Sequence, residues 1–133
     1  QRFTNTFLDP LFYRQALYQD VIPTLEFFKK KNVRMGILSQ SWRRQQIFKL
    51  AASGILHYFD PSLLLISRNK RRFDRQLILK THPKHIIVID NLPDMAVYFS
   101  RLGMKSFLIR RNPTSQKING PIVIRALTDL TRL

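Results

Sequence analysis

Apolar positions along this chain follow two rhythms. One is a set of short unbroken runs, and the clearest is Ile86, Ile87, Val88 and Ile89, which stops at Asp90 and is followed by a second acid, Asp94. A short apolar run ending at a turn signal reads as a strand buried on both faces. A further apolar run at residues 63–67 and short apolar-rich segments at 33–38, 105–109 and 122–124 predict four more strands. The other rhythm is a helical stripe. Residues 20–31 place Val21, Leu25 and Phe28 on one side, with Asp20 as a capping residue and Pro23 in the first turn, where its missing N–H costs nothing. Asn32 ends that helix. Residues 42–52 form a second helix, closed by Ser53-Gly54, and residues 93–102 another, closed by Gly103. A short helix is expected over 73–80 and a last helical turn or two over 128–133.

Strands alternating with helices predict an α/β fold with a mostly parallel sheet. In such sheets ligands sit at the carboxyl ends of the strands. Asp90 and Asp94 fall at such an end, and two carboxylates there suit a hard cation such as Mg²⁺.

Length and charge alter this picture. With 133 residues and 44% hydrophobic positions, the chain is long enough for one domain with a modest core. No apolar run approaches the roughly 20 residues of a membrane span. There is no cysteine, which excludes disulfides and thiolate metal sites. The chain begins with Gln1 rather than Met, and the expectation is a missing upstream piece, as a cleaved targeting peptide or a fragment would give. Lys and Arg number 23 against 8 acids, a net charge of +15. On a domain this small, self-repulsion disfavours the compact state unless a polyanion neutralises it, and nucleic-acid phosphates are the usual partner. An anionic membrane surface and a plain surface bias are the alternatives.

The order of pieces also resembles a known family. Residues 20–28 (DVIPTLEFF) precede a strand ending at Ser39. His57-Tyr58-Phe59-Asp60, a lysine-bearing loop, the acid-bearing strand and residues 101–105 (RLGMK) follow, and residues 121–130 (PIVIRALTDL) close the series. Over residues 18–133 this resembles the haloacid-dehalogenase-like (HAD) hydrolases, mostly Mg²⁺-dependent phosphatases. The resemblance implies one HAD-like domain over 1–133, with residues 1–17 an N-terminal extension or replacement strand. It implies a three-layer Rossmann-like sheet with helices on both faces and no large cap domain. Ser39 then occupies the phosphate-binding hydroxyl position, with Ser41 as a substitute. Lys70 is the candidate for the lysine that steadies nucleophile and phosphate, although the usual Lys-Pro reads Lys70-Arg71. Asp90 and Asp94 match the acids that hold Mg²⁺. Blander roles stand beside these: Ser39 as a helix cap, Lys70 within a phosphate-facing or solvated run, Asp90 and Asp94 as a cap and a first-turn acid.

The family's Asp-x-Asp nucleophile motif occurs nowhere in the chain. Asp9 is a weak remnant of the nucleophile, and Leu11, at the acid/base position, cannot transfer a proton. In the family that strand lies between the Ser39-type and Asp90-type strands, so something must fill the slot. Residues 2–8, or a strand from outside the chain, are the candidates.

Two functions follow as expectations. One is a non-catalytic, RNA-associated structural subunit of a ribonucleoprotein, such as a mitochondrial ribosome, with rRNA and neighbouring proteins as partners, an organellar location and no cofactor. The phosphate contacts would come from Lys29, Lys30, Lys31, Arg34, Arg43, Arg44, Arg68, Lys70, Arg71, Arg72, Arg75, Arg110, Arg111 and Lys117. Trp42 and Phe73 are either base-stacking aromatics or core. The other is a Mg²⁺-dependent phosphatase, seen as a fragment or with its nucleophile strand supplied from outside this chain.

Overall fold

The computed structural model describes residues 17–68, 82–112 and 117–132. They fall in two compact units, residues 1–73 and 74–133. The expected helix over 73–80, the filler strand over 2–8, Asp9, Lys70, Arg71, Arg72, Phe73 and Arg75 lie outside the described residues.

In the first unit, α1 (Val21–Lys30) leads to β1 (Ile37–Gln40), α2 (Arg43–Ala52) and β2 (Leu64–Ser67), with two short 3₁₀ turns at Leu56–Tyr58 and Pro61–Leu63. β1 and β2 pair in parallel, Ile37 opposite Leu64 and Gln40 opposite Ser67. Leu50, Ile55 and Phe59 form the buried core, and Leu17, Val21, Leu25, Met35, Ile37 and Leu64 pack on it. Asp20 stands at the start of α1 as expected, but its side chain makes no capping bond. Instead its carbonyl accepts from the Thr24 hydroxyl at 2.7 Å. Asn32 ends the helix in the left-handed region, φ 58°, a conformation Asn tolerates better than most residues.

The first strand begins four residues later than its apolar run predicts. Residues 33–36 are held in a connecting loop: the Val33 N–H donates to Phe28 O, and the Asp60 N–H donates to Met35 O. Those bonds take the backbone groups a longer strand would use. Gly36 sits where this loop meets the turn before β2. A Cβ there would lie 2.6 Å from both Leu63 Cβ and the Leu63 carbonyl oxygen.

In the second unit, a 3₁₀ turn at Pro83–His85 leads to β3 (Ile87–Asp90), α3 (Pro93–Arg101), β4 (Lys105–Ile109), β5 (Ile122–Ile124) and a 3₁₀ segment, Leu127–Arg132. The strands form a parallel sheet in the order β3-β4-β5. β4 is central and buries Ser106, Phe107 and Leu108 in succession. α3 packs on the sheet face that carries Val88, Asp90, Ser106 and Leu108. Ala96 is fully buried there, and the Ser106 hydroxyl donates to Ala96 O at 2.7 Å, which satisfies a polar group sealed from water.

One expectation fails in this sheet. β3 is not buried on both faces, because its residues alternate between exposed and buried. Ile87 is 54% exposed and Ile89 37%, whereas Val88 and Asp90 are buried. The helix covers one face only, and apolar content along a strand does not say how many faces are covered. β2 has the same kind of run and buries Leu65 and Ile66 on opposite faces. β1 and β3, the two strands expected to flank the missing one, are each the end strand of their sheet among the described residues.

Candidate functional site

Parallel pairing brings the carboxyl ends of β1 and β2 together. The chain leaving β1 is pinned there, since the Ser41 N–H donates to Ser67 O at 2.9 Å. The Ser39 and Ser41 hydroxyls lie 2.9 Å apart and are hydrogen-bonded. Neither caps the following helix. That position belongs to Trp42, whose backbone is extended and whose side chain makes no cap bond. The Arg43 guanidinium turns back to donate to Leu64 O at 2.8 Å, tying the start of α2 to β2. Trp42 is 59% exposed. The Arg68 guanidinium, just past β2, stacks on its ring with 4.4 Å from the central carbon to the ring centroid. Gln40, Ser41, Trp42 and Arg68 line a cavity of about 260 Å³.

The acid pair lies at the end of β3, in the second unit. Asp90 is 6% exposed, and its Oδ1 accepts from the Leu92 N–H at 2.9 Å. This Asx turn redirects the chain from strand to helix. Asp94 is exposed in the first turn of α3, where a negative charge complements the helix N-terminus. Both acids therefore have structural work at this corner. Their chemistry also suits Mg²⁺, which binds oxygen donors, needs only one or two protein carboxylates and keeps several waters. No third His, Cys, Asp or Glu joins them among the described residues.

The predicted phosphate contacts occupy different settings. Lys29, Lys30 and Lys31 are exposed at the end of α1, where cations favour the helix C-terminus. Lys29 lies over the Tyr58 ring at 5.6 Å and Lys31 over Phe27 at 5.0 Å. Arg34 is engaged with its own protein, 2.9 Å from the Asp60 carboxylate and within reach of Ser62. Asp60 also accepts from the Ser62 N–H and hydroxyl at 2.9 and 2.8 Å. These bonds, and Arg34 after them, hold its carboxyl below the usual aspartate range. Arg44 and Lys117 are exposed, and Arg110 and Arg111 half-buried.

Sequence reasoning passed over three residues here. Gln40 lines the cavity, and nothing in its local pattern marks it. Tyr58 and Glu26 form a hydrogen bond across 32 positions. That bond lowers the Glu26 carboxyl below its ordinary value and raises the Tyr58 phenol above its own. Only the fold brings them together.

No family model and no curated protein matches the chain. Among solved structures, it is similar to the crystal structure of a HAD phosphatase from Thermococcus onnurineus. The TM-score is 0.71 with 25% sequence identity, over 87% of this chain and 57% of that one. The chain thus spans little more than half the length of the structure it matches. Parallel sheets interleaved with helices, together with this likeness, give the chain an α/β fold of the HAD-like kind.

Proposed function

We propose that this chain is a HAD-like module that binds RNA through its basic surface and does not by itself hydrolyse phosphate esters, as a subunit of a ribonucleoprotein assembly. The observation that carries this reading is the charge of +15 on 133 residues. It is supported by the exposed run Lys29-Lys30-Lys31 and by the guanidinium-stacked Trp42 at the β1/β2 edge. Hydrolysis through an aspartyl-phosphate needs an activated carboxylate and a proton donor side by side, and these 133 residues contain no Asp-x-Asp.

A second reading is favoured by the name of the similar structure, a HAD phosphatase, and by Asp90 and Asp94. In that case the acids would hold Mg²⁺, which supplies positive charge to phosphate oxygens. The Ser39 hydroxyl would donate to the phosphate, and the nucleophile strand would come from outside this chain. A phosphatase assay with and without Mg²⁺, comparing wild type with Asp90→Asn, separates the two. The RNA-binding reading predicts no Mg²⁺-dependent turnover by this chain. Turnover that requires Mg²⁺ and is lost in Asp90→Asn overturns it.

A further inference from the structure

We infer that the cavity at the carboxyl edge of β1 and β2 is a nucleotide pocket, in which Trp42 stacks on a base and Arg68 holds the attached phosphate. This rests on the RNA-binding reading above and names the chemical unit the site takes.

Trp42 is the chain's single tryptophan, and it occupies the N-cap of α2, a position that favours Ser, Thr, Asp or Asn. It contributes no capping bond, and at 59% exposure it contributes little to a core. Its ring is instead held beside the cavity under the Arg68 guanidinium, 4.4 Å away. Among the described residues Arg68 has no hydrogen-bond acceptor and no carboxylate partner. A stacked guanidinium keeps its edge N–H groups available for bidentate contact with a phosphate, and stacking pre-orients them. The Gln40 amide offers both a donor and an acceptor to a base edge, and the Ser41 hydroxyl a further polar contact. An exposed indole is a platform for any unpaired base. The cavity, about 260 Å³, lies just under the roughly 300–1,000 Å³ of drug-sized sites. It therefore takes one nucleotide unit rather than an extended ligand. That unit has two sources, a free mononucleotide or an unpaired nucleotide of single-stranded RNA.

Because Trp42 is the only tryptophan, its fluorescence reports the pocket directly. The full chain is titrated with UMP, uridine, inorganic phosphate, a single-stranded oligouridylate and a duplex RNA of equal length. The expected result is saturable quenching by UMP and by the single strand, with phosphate, uridine and duplex each at least tenfold weaker. Arg68→Ala is expected to weaken UMP binding about tenfold. Trp42→Ala and Trp42→Phe, read by polarisation of labelled oligouridylate, are expected to lose roughly tenfold and less than that, on the scale of one base-stacking contact. Circular dichroism confirms that each variant is folded.

Tighter binding of the single strand than of UMP assigns the pocket to RNA, and equal binding assigns it to free nucleotides. The pocket is overturned if neither quenches saturably, if inorganic phosphate matches UMP, or if Arg68→Ala is without effect. Salt-sensitive RNA binding indifferent to Trp42 and Arg68 overturns the pocket and leaves the RNA-binding reading standing. UMP binding without RNA binding does the reverse.

Discussion

At the scale of single residues, the hydrogen bonds around Asp60 make a pH-dependent contribution whose sign is fixed. Ser62 and Arg34 stabilise its carboxylate, so its pKa in the folded chain lies below the unfolded value, which is about 3.9. The contribution is complete above that unfolded value and is lost as pH falls through the lowered folded one. Asp60→Asn should therefore unfold at a lower temperature than wild type at pH 7, and the gap should close as the pH drops below about 4. Thermal unfolding across pH checks this, and a constant gap contradicts it. The Tyr58–Glu26 bond behaves likewise on the acid side. At the other end Tyr58, with its raised value, loses its contribution as pH climbs beyond its ordinary value of about 10. Gly36 offers a steric prediction. Alanine there would meet a backbone carbonyl at 2.6 Å, and the strand start must shift, at about 1–3 kcal/mol by the scale of overpacked sites; urea unfolding measures it. Sequence alone marked Ser39 and Asp90 because strand ends are local signals, and Trp42 because it adjoins Arg43 and Arg44. The Arg34–Asp60, Tyr58–Glu26 and Trp42–Arg68 pairs were invisible, because each joins residues 26 or more positions apart.

At the scale of elements, local chemistry located the helices and strands well. Gly54 and Gly103 carry the positive φ that their places after helices require. The strands over 105–109 and 122–124 fall where their apolar runs stand. What periodicity could not deliver was the number of covered faces. β2 and β3 both read as continuous apolar runs, yet β2 buries neighbouring residues while β3 leaves Ile87 and Ile89 exposed. Substitutions quantify the difference. Phe107→Ala, at a fully buried position of the central strand, should cost about 3–5 kcal/mol. Ile87→Ala, on the exposed face of β3, should fall well below the 2–5 kcal/mol typical of a buried isoleucine. Equal losses in chemical denaturation would mean that β3 is covered on both sides in solution.

At the scale of the whole molecule, the dominant fact is a charge of +15. The acid corner at Asp90 and Asp94 first suggests a metal-assisted active site, and the fold is similar to that of a HAD phosphatase. Under the proposed RNA-binding reading Asp90 serves the fold, its Oδ1 holding the turn into α3, and the 133 residues contain no Asp-x-Asp pair. Composition made the charge legible at once. It could not place the charge, because placement depends on which lysines and arginines the fold occupies internally, as it does Arg34 and Arg43. Binding driven by phosphate neutralisation has a signature that structural packing does not share: counterion release makes log K fall linearly with log salt. The direct test is the affinity of the full chain for a labelled single-stranded RNA between about 50 and 200 mM salt, the range over which six to ten phosphate contacts cost about 10³–10⁵ in affinity. A steep linear fall is the predicted result; absent binding at low salt, or affinity indifferent to salt, contradicts it.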